Sequence, residues 1–202
     1  GIAAVFVCSG AVGKFLPEPE KIVFAAESSK RLCIDLNAGD GRKASYSKVA
    51  ENWIATGDAP TATIGGVTLK LSNGGSVGSE VRMVNCKILQ LQSGNYPYLT
   101  MDGAKINDGD NGGILKLEIS GLSAGKHSLK MWHSCVDNVQ NSSLSVSVNG
   151  KTTAAGVKCP TRVKSEDDAG ISYAEFDVKS GQTVTVLIKP EGNGAVNNAW
   201  LN

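Results

Sequence analysis

The chain has 202 residues, 24 of them glycine, and a formal net charge of +1. That length supports one sizeable core with a short extension, and that charge creates no field that would draw nucleic acid or an acidic membrane surface. Aromatic residues make up only 5%, too few for the long stacking platform that a crystalline glycan surface requires.

Residues 1–13 (GIAAVFVCSGAVG) are apolar but shorter than the ~20 residues of a membrane span. They read as the tail of a secretory signal, with Cys8 a poor lipoprotein-type acceptor, or as a first strand at the boundary of the segment; the second is preferred. Pro17 and Pro19 mark an extended connector, and a short strand at 22–26 follows. Residues 1–30 are thus an extension or linker, and residues 31–202 form the module proper.

Residues 32–36 read as a strand ended by the turn Asn37-Ala-Gly-Asp-Gly41. Residues 46–57 are the one stretch with helical spacing: Val49, Trp53 and Ile54 recur before Gly57 and Pro60 stop the run. Two strand regions follow at 61–71 and 81–91, the second with a change of parity that places a bulge near Asn85 and Cys86. Residues 93–98 (SGNYPY) form a turn carrying Tyr96 and Tyr98.

Residues 101–113 (MDGAKINDGDNGG) gather hard oxygen donors, and Asp102, Asn107, Asp108 and Asp110 are candidate calcium ligands. The spacing is not that of an EF-hand, which needs a bidentate Glu at its twelfth position. The other reading, which is preferred, is a hairpin whose Asp-Gly and Asn-Gly pairs supply turn geometry. Calcium is therefore an optional ion, and no cofactor is required.

Residues 112–150 hold the clearest pattern. Leu115, Leu117 and Ile119, then Leu129 and Met131, then Leu144, Val146 and Val148 alternate with polar residues, the period-two signature of half-buried strands. Gly121 and Gly125 divide the first two runs, and Asn149-Gly150 closes the third with a pair suited to a positive-φ hairpin turn. The runs read as one sheet with an apolar face that needs a second layer. By parity Trp132 lies opposite Leu129 and Met131, facing out, while His133 lies on their side as a hydrogen-bonded histidine at the core rim. Later, Ala174, Phe176 and Val178 alternate inward, as do Val184, Val186 and Ile188. Residues 161–168 (TRVKSEDD) form a polar loop, and Trp200 is a core residue of the closing strand.

Several chemistries lack their signatures. There is no GxSxG elbow, no phosphate-binding glycine loop and no HExxH, and His127 and His133 are the only histidines. Arg162 and Lys164 near Tyr173 offer a conceivable lyase set, for which a solvated loop is the better explanation. Cys8, Cys33, Cys86, Cys135 and Cys159 are too widely spaced for zinc. Buried thiols and one structural disulfide both remain open.

The block SGLSAGKHSLKMWHSCVDN followed by SVSVNG, together with IDLNAGDG, GISYAEFDVKSGQTVTVLI and NAWLN, resembles the galactose-binding-like or malectin-like β-sandwich modules of bacterial polysaccharide lyases and glycoside hydrolases. The resemblance covers residues 31–202. It implies an all-β fold, an antiparallel β-sandwich of the galactose-binding-like jelly-roll type. It also implies a non-catalytic carbohydrate-binding module that targets a plant cell-wall polysaccharide, pectin included, for an attached catalytic domain.

Sugars need flat apolar rings and convergent polar groups, so the candidate ligand-binding residues are Trp132, His133, Asp137, Asn138, Tyr96, Tyr98, Trp53 and Arg162. The expected setting is extracellular or at the surface of a bacterium, with the module a monomer cut from a longer parent. The alternatives are a spacer module that packs on a catalytic domain without glycan affinity, and a small polysaccharide lyase.

Overall fold

The computed structural model describes residues 31–36, 53–56, 59–76, 80–85, 98–107, 109, 112–136, 139–192, 194 and 196–202. Those residues form a β-sandwich. Its larger layer is a six-stranded antiparallel sheet in the order β10-β9-β12-β7-β4-β3, built from β3 (Thr61–Ile64), β4 (Val67–Asn73), β7 (Leu115–Ser120), β9 (Leu144–Val148), β10 (Lys151–Val157) and β12 (Val184–Pro190). Facing it are the ribbon of β8 (Gly125–His133) with β11 (Gly170–Val178) and the three-stranded sheet of β13 (Ala199–Leu201), β6 (Asp102–Ile106) and β5 (Arg82–Asn85). The Asn202 N–H donates to Trp132 O at 3.1 Å and ties the end of β13 to β8.

Alternation accounts for the core. Leu115, Leu117 and Ile119 of β7, Leu144, Val146 and Val148 of β9, and Val184, Val186 and Ile188 of β12 are all buried. They share one cluster with Ala104, Ile106, Met131, Ala174, Val178 and Trp200 from the facing layer. Each aliphatic side chain buried this way contributes about 1.5–3 kcal/mol. Trp200, expected in the core, is completely buried.

Four expectations change. The three runs of residues 112–150 do not make one sheet: β7 and β9 flank β12 in the larger layer, whereas β8 crosses to the other layer and pairs with β11. The region 61–71 is a hairpin rather than one strand, because Gly65 and Gly66, with φ of 58° and 84°, reverse the chain between β3 and β4. The helical spacing at 46–57 does not yield a helix at its described end. Trp53–Ala55 is strand β2, held in parallel register to β1 (Cys33–Asp35). The region 101–113 does not close a hairpin between its flanking strands: it starts with the buried strand β6, after a 3₁₀ turn at Tyr98–Thr100, and β6 pairs with β5 and β13 while the following β7 lies in the other layer.

The extension expected at residues 1–30 and the bulge near Cys86 fall outside the described residues. No helix among the described residues is long and apolar enough to cross a membrane.

Candidate functional site

The outward face of the β8–β11 ribbon carries the candidate site. Antiparallel register sets Trp132 opposite Ile171 and Lys130 opposite Tyr173, with Glu175 opposite Ser128. In a pleated ribbon these residues share one side. On the other side lie Met131, His133, Ser172 and Ala174, all buried. Trp132 is half-buried, while Ile171 and Tyr173 are 43% and 51% exposed.

A second ring reaches this face from elsewhere in the chain. Trp53 of β2 lies with its ring centroid 5.8 Å from that of Trp132, the planes inclined by 59°. The Lys130 ammonium sits 4.6 Å from the centroid of the Trp132 ring, close enough for a cation–π attraction. The Tyr173 hydroxyl donates to Glu175 Oε1 at 2.8 Å. Two indoles, a phenol, an isoleucine, an ammonium and a carboxylate therefore occupy one surface. Rings offer C–H stacking to a sugar face, and Lys130, Glu175 and the Tyr173 hydroxyl offer directional hydrogen bonds to its hydroxyls. The inclined indoles are not a flat shelf, so the surface matches a single flexible chain better than a crystalline sheet.

The structure brings together two of the ring residues singled out in the sequence, Trp53 and Trp132. Tyr98 lies in the 3₁₀ turn before β6, and Tyr96, Asp137 and Asn138 fall outside the described residues. Tyr173 and Ile171 were missed as binding residues. Since Ala174, Phe176 and Val178 point inward, parity alone sends Tyr173 and Ile171 outward.

His133 is the hydrogen-bonded, core-side histidine that parity predicts, and its place among the ligand-binding candidates is corrected. It is completely buried: its Nδ1 donates to Trp200 O at 2.7 Å, and its Nε2 accepts from Ser172 Oγ at 2.8 Å. A carbonyl can only accept, which fixes the proton on Nδ1. Burial lowers its pKa to about 4, against a smaller upward pull from the Trp200 carbonyl. This neutral imidazole cross-braces β8, β11 and β13 and is closed to a ligand. Although it is hydrogen-bonded to a serine, that serine is itself only 2% exposed.

Arg162 is also a brace. Its side chain is half-buried, its Nε donates to Val136 O at 3.2 Å, and its N–H donates to Cys135 O at 2.9 Å. It ties the segment before β11 to the segment after β8. Tyr173 meanwhile donates its hydroxyl to Glu175, and Lys164, the third residue of the conceivable lyase set, is exposed in the polar loop.

The calcium set is corrected in part. Asp102 opens β6 and is 3% exposed, whereas Asn107 directly follows the same strand. At ~3.3 Å per residue the two Cα atoms stand roughly 16 Å apart, too far to share an ion whose ligands lie at about 2.3–2.6 Å. Asp108 and Asp110 fall outside the described residues. Among the described residues no group of three or more His, Cys, Asp and Glu side chains is placed to hold a metal ion.

Asp35 is a buried ionisable group that the sequence did not mark. It lies on β1, is fully buried, and neither carboxylate oxygen has a hydrogen-bond partner among the described residues. Desolvation, helped by the negative charge of Glu166, raises its pKa from 3.8 to about 7. Below about pH 7 the neutral acid therefore predominates, and ionisation sets in near neutrality.

No protein-family model and no curated protein matches the chain. Among solved structures a match is the GH31 α-xylosidase from Xanthomonas citri, 14% identical with a TM-score of 0.29, the alignment covering 66% of this chain and 13% of that one. The chain thus corresponds to a small part of that enzyme's length, and a likeness of this degree adds nothing to the fold or to the site.

Proposed function

We propose that this protein is a non-catalytic carbohydrate-binding module of the galactose-binding-like type, and that it holds its glycan on the outer face of β8 and β11. The observation that carries this reading is the convergence of Trp53 and Trp132, from distant parts of the chain, beside exposed Tyr173 and Ile171. Large rings left half-open to water are costly unless a partner covers them, and a sugar ring fits both their shape and the polar groups around them. The ligand class proposed is a soluble plant cell-wall polysaccharide, pectin included, and the setting is a secreted or surface-bound bacterial protein that carries a separate catalytic domain.

The test is intrinsic tryptophan fluorescence during titration with soluble polysaccharides and their oligosaccharides. Sugar stacked on Trp53 and Trp132 shifts or quenches the emission with a saturable curve, and Trp132→Ala removes the effect. An emission spectrum that no glycan changes, together with no retention on any glycan, overturns the reading.

One second reading has its own observation. Ile54, Ile171 and Tyr173 expose large apolar surface, which also suits a spacer module that packs on an adjoining domain. Such a spacer raises the thermal stability of its neighbour when the two are joined and binds no free glycan. Fusion to the neighbouring domain therefore separates the two readings.

A further inference from the structure

We propose that the outer face of β8 and β11 is polarised along its strands and selects a glycan that sets a uronic acid beside a neutral sugar. Lys130 receives the sugar carboxylate at the Trp132 end, and Glu175 accepts sugar hydroxyls at the other. This deepens the glycan-binding reading above and rests on it. Register places Lys130 of β8 directly opposite Tyr173 of β11, yet the two side chains lean apart. Lys130 reaches along β8 to Trp132, two residues on, where its ammonium lies 4.6 Å from the centroid of the indole. Tyr173 reaches along β11 to Glu175, also two residues on, and donates its hydroxyl at 2.8 Å. In an antiparallel pair those two reaches run in opposite directions in space.

This divergence sorts the charges. Trp132 pairs with Ile171 at one end, and four residues back along β8 Ser128 pairs with Glu175 at the other, roughly 13 Å away at ~3.3 Å per residue. The ammonium thus belongs to the indole end and the carboxylate to the phenol end. Lys130, Tyr173 and Glu175 are all exposed. Among the described residues Lys130 makes no ion pair, and its charge meets the Trp132 ring instead. A cation–π contact attracts the ammonium without neutralising it. Lys126 and Asp177, the next pair along the ribbon, are opposite in sign and face each other, so they add no net charge to either end.

A pyranose that lays its C–H face on the indole carries its exocyclic group at the edge of its own ring. Where that group is a carboxylate, the Lys130 ammonium beside the indole can exchange its ring contact for a charge-assisted hydrogen bond. Where it is a hydroxymethyl group, only a weaker hydrogen bond is gained. Sugars further along the ribbon meet Tyr173 and Glu175. An ionised carboxylate accepts hydrogen bonds and cannot donate them, so Glu175 favours a sugar rich in hydroxyls and repels a second uronic acid. A homopolymer of uronic acid therefore suits Lys130 but not Glu175, and a neutral chain suits Glu175 but leaves Lys130 unpaired. A chain that mixes the two kinds of sugar suits both.

The test is titration calorimetry of the whole chain with three probes of equal length: an oligosaccharide of alternating galacturonic acid and rhamnose, the same oligosaccharide with its carboxyl groups reduced to alcohols, and an oligogalacturonate. The wild type should bind the alternating probe about 3- to 10-fold more tightly than its reduced form, and the ratio should shrink as salt is raised. Lys130→Met should abolish that preference and Lys130→Arg should keep it. Glu175→Gln should raise the affinity for oligogalacturonate relative to the alternating probe. Equal binding of the alternating and reduced probes by the wild type, a preference that survives in Lys130→Met, or an oligogalacturonate ranking that Glu175→Gln leaves unchanged overturns the inference while glycan binding stands. Binding of none of the three probes also overturns it, and the glycan reading falls with it only where no other soluble polysaccharide is bound.

Discussion

Trp53 and Trp132, on strands β2 and β8, hold their indole rings 5.8 Å apart at an angle of 59° on the outer surface of the sandwich. Neither strand pairs with the other, so the contact is made by side chains alone. Aromatic pairs in this tilted arrangement attract by about 0.5–1.5 kcal/mol beyond the area they bury, which steadies β2 against the ribbon and presets the rings for a ligand.

Trp132 is at the centre of the face, between Trp53, Lys130 and Ile171. Trp132→Ala should weaken glycan binding by roughly 10- to 100-fold, as expected when a central aromatic anchor is truncated. Trp53→Ala and Tyr173→Ala should each weaken it less, and Tyr173→Phe less again because the ring remains. Titration calorimetry of the four variants gives the ranking. Equal affinity in Trp132→Ala and the wild type removes Trp132 from the site.

Asp35 and His133 give the stability a particular pH profile. Asp35, with its folded pKa raised from 3.8 to about 7, contributes stability that is complete below about 3.8 and is lost as pH rises through about 7. His133, lowered from 6.5 to about 4, contributes stability present above about 6.5 and lost as pH falls towards about 4. Between those limits the two slopes oppose each other. In Asp35→Asn only the histidine remains, so the thermal midpoint should climb from pH 4 to 6.5 and show no decline through pH 7. A variant whose profile matches the wild type contradicts the assignment.

Removing metal should leave binding intact. The proposed face works through rings, an ammonium, a hydroxyl and a carboxylate, none of which needs an ion to present it. Affinity measured with added calcium and with EDTA should agree; a loss in EDTA would relocate the site towards the acidic residues at 108–110.

Gly170→Ala should damage stability and binding together. Gly170 starts β11 opposite His133, and a Cβ there would lie 1.7 Å from the Lys158 carbonyl oxygen. The chain must move to admit the methyl group, and the strand that moves carries Ile171 and Tyr173. The measurements are the thermal midpoint and the affinity of the purified variant. An unchanged midpoint would mean that this close approach is not a constraint.

The legible parts of the fold were those set by local alternation. Leu115 to Ile119, Leu144 to Val148 and Val184 to Ile188 declared their buried side because each strand is apolar on one face only. Strand β10 was missed: Lys151–Val157 is a half-exposed edge strand of small and polar residues, with register shifts after Thr152 and Ala154, so it has no period to read. The parallel pairing of Cys33 with Trp53 depends on residues far apart in sequence, which no local pattern encodes. The outward aim of Trp132 was readable for the same reason that its partner was not: parity gives the side of a strand, while register and the neighbour across it come from the packed core.

The most direct test is affinity electrophoresis of the wild type and Trp132→Ala through gels containing soluble plant cell-wall polysaccharides, pectin among them. The account predicts that at least one polysaccharide retards the wild type and that Trp132→Ala, folded by circular dichroism, migrates as it does in a gel without glycan. Equal retardation of both proteins, or retardation of neither by any glycan, would contradict it.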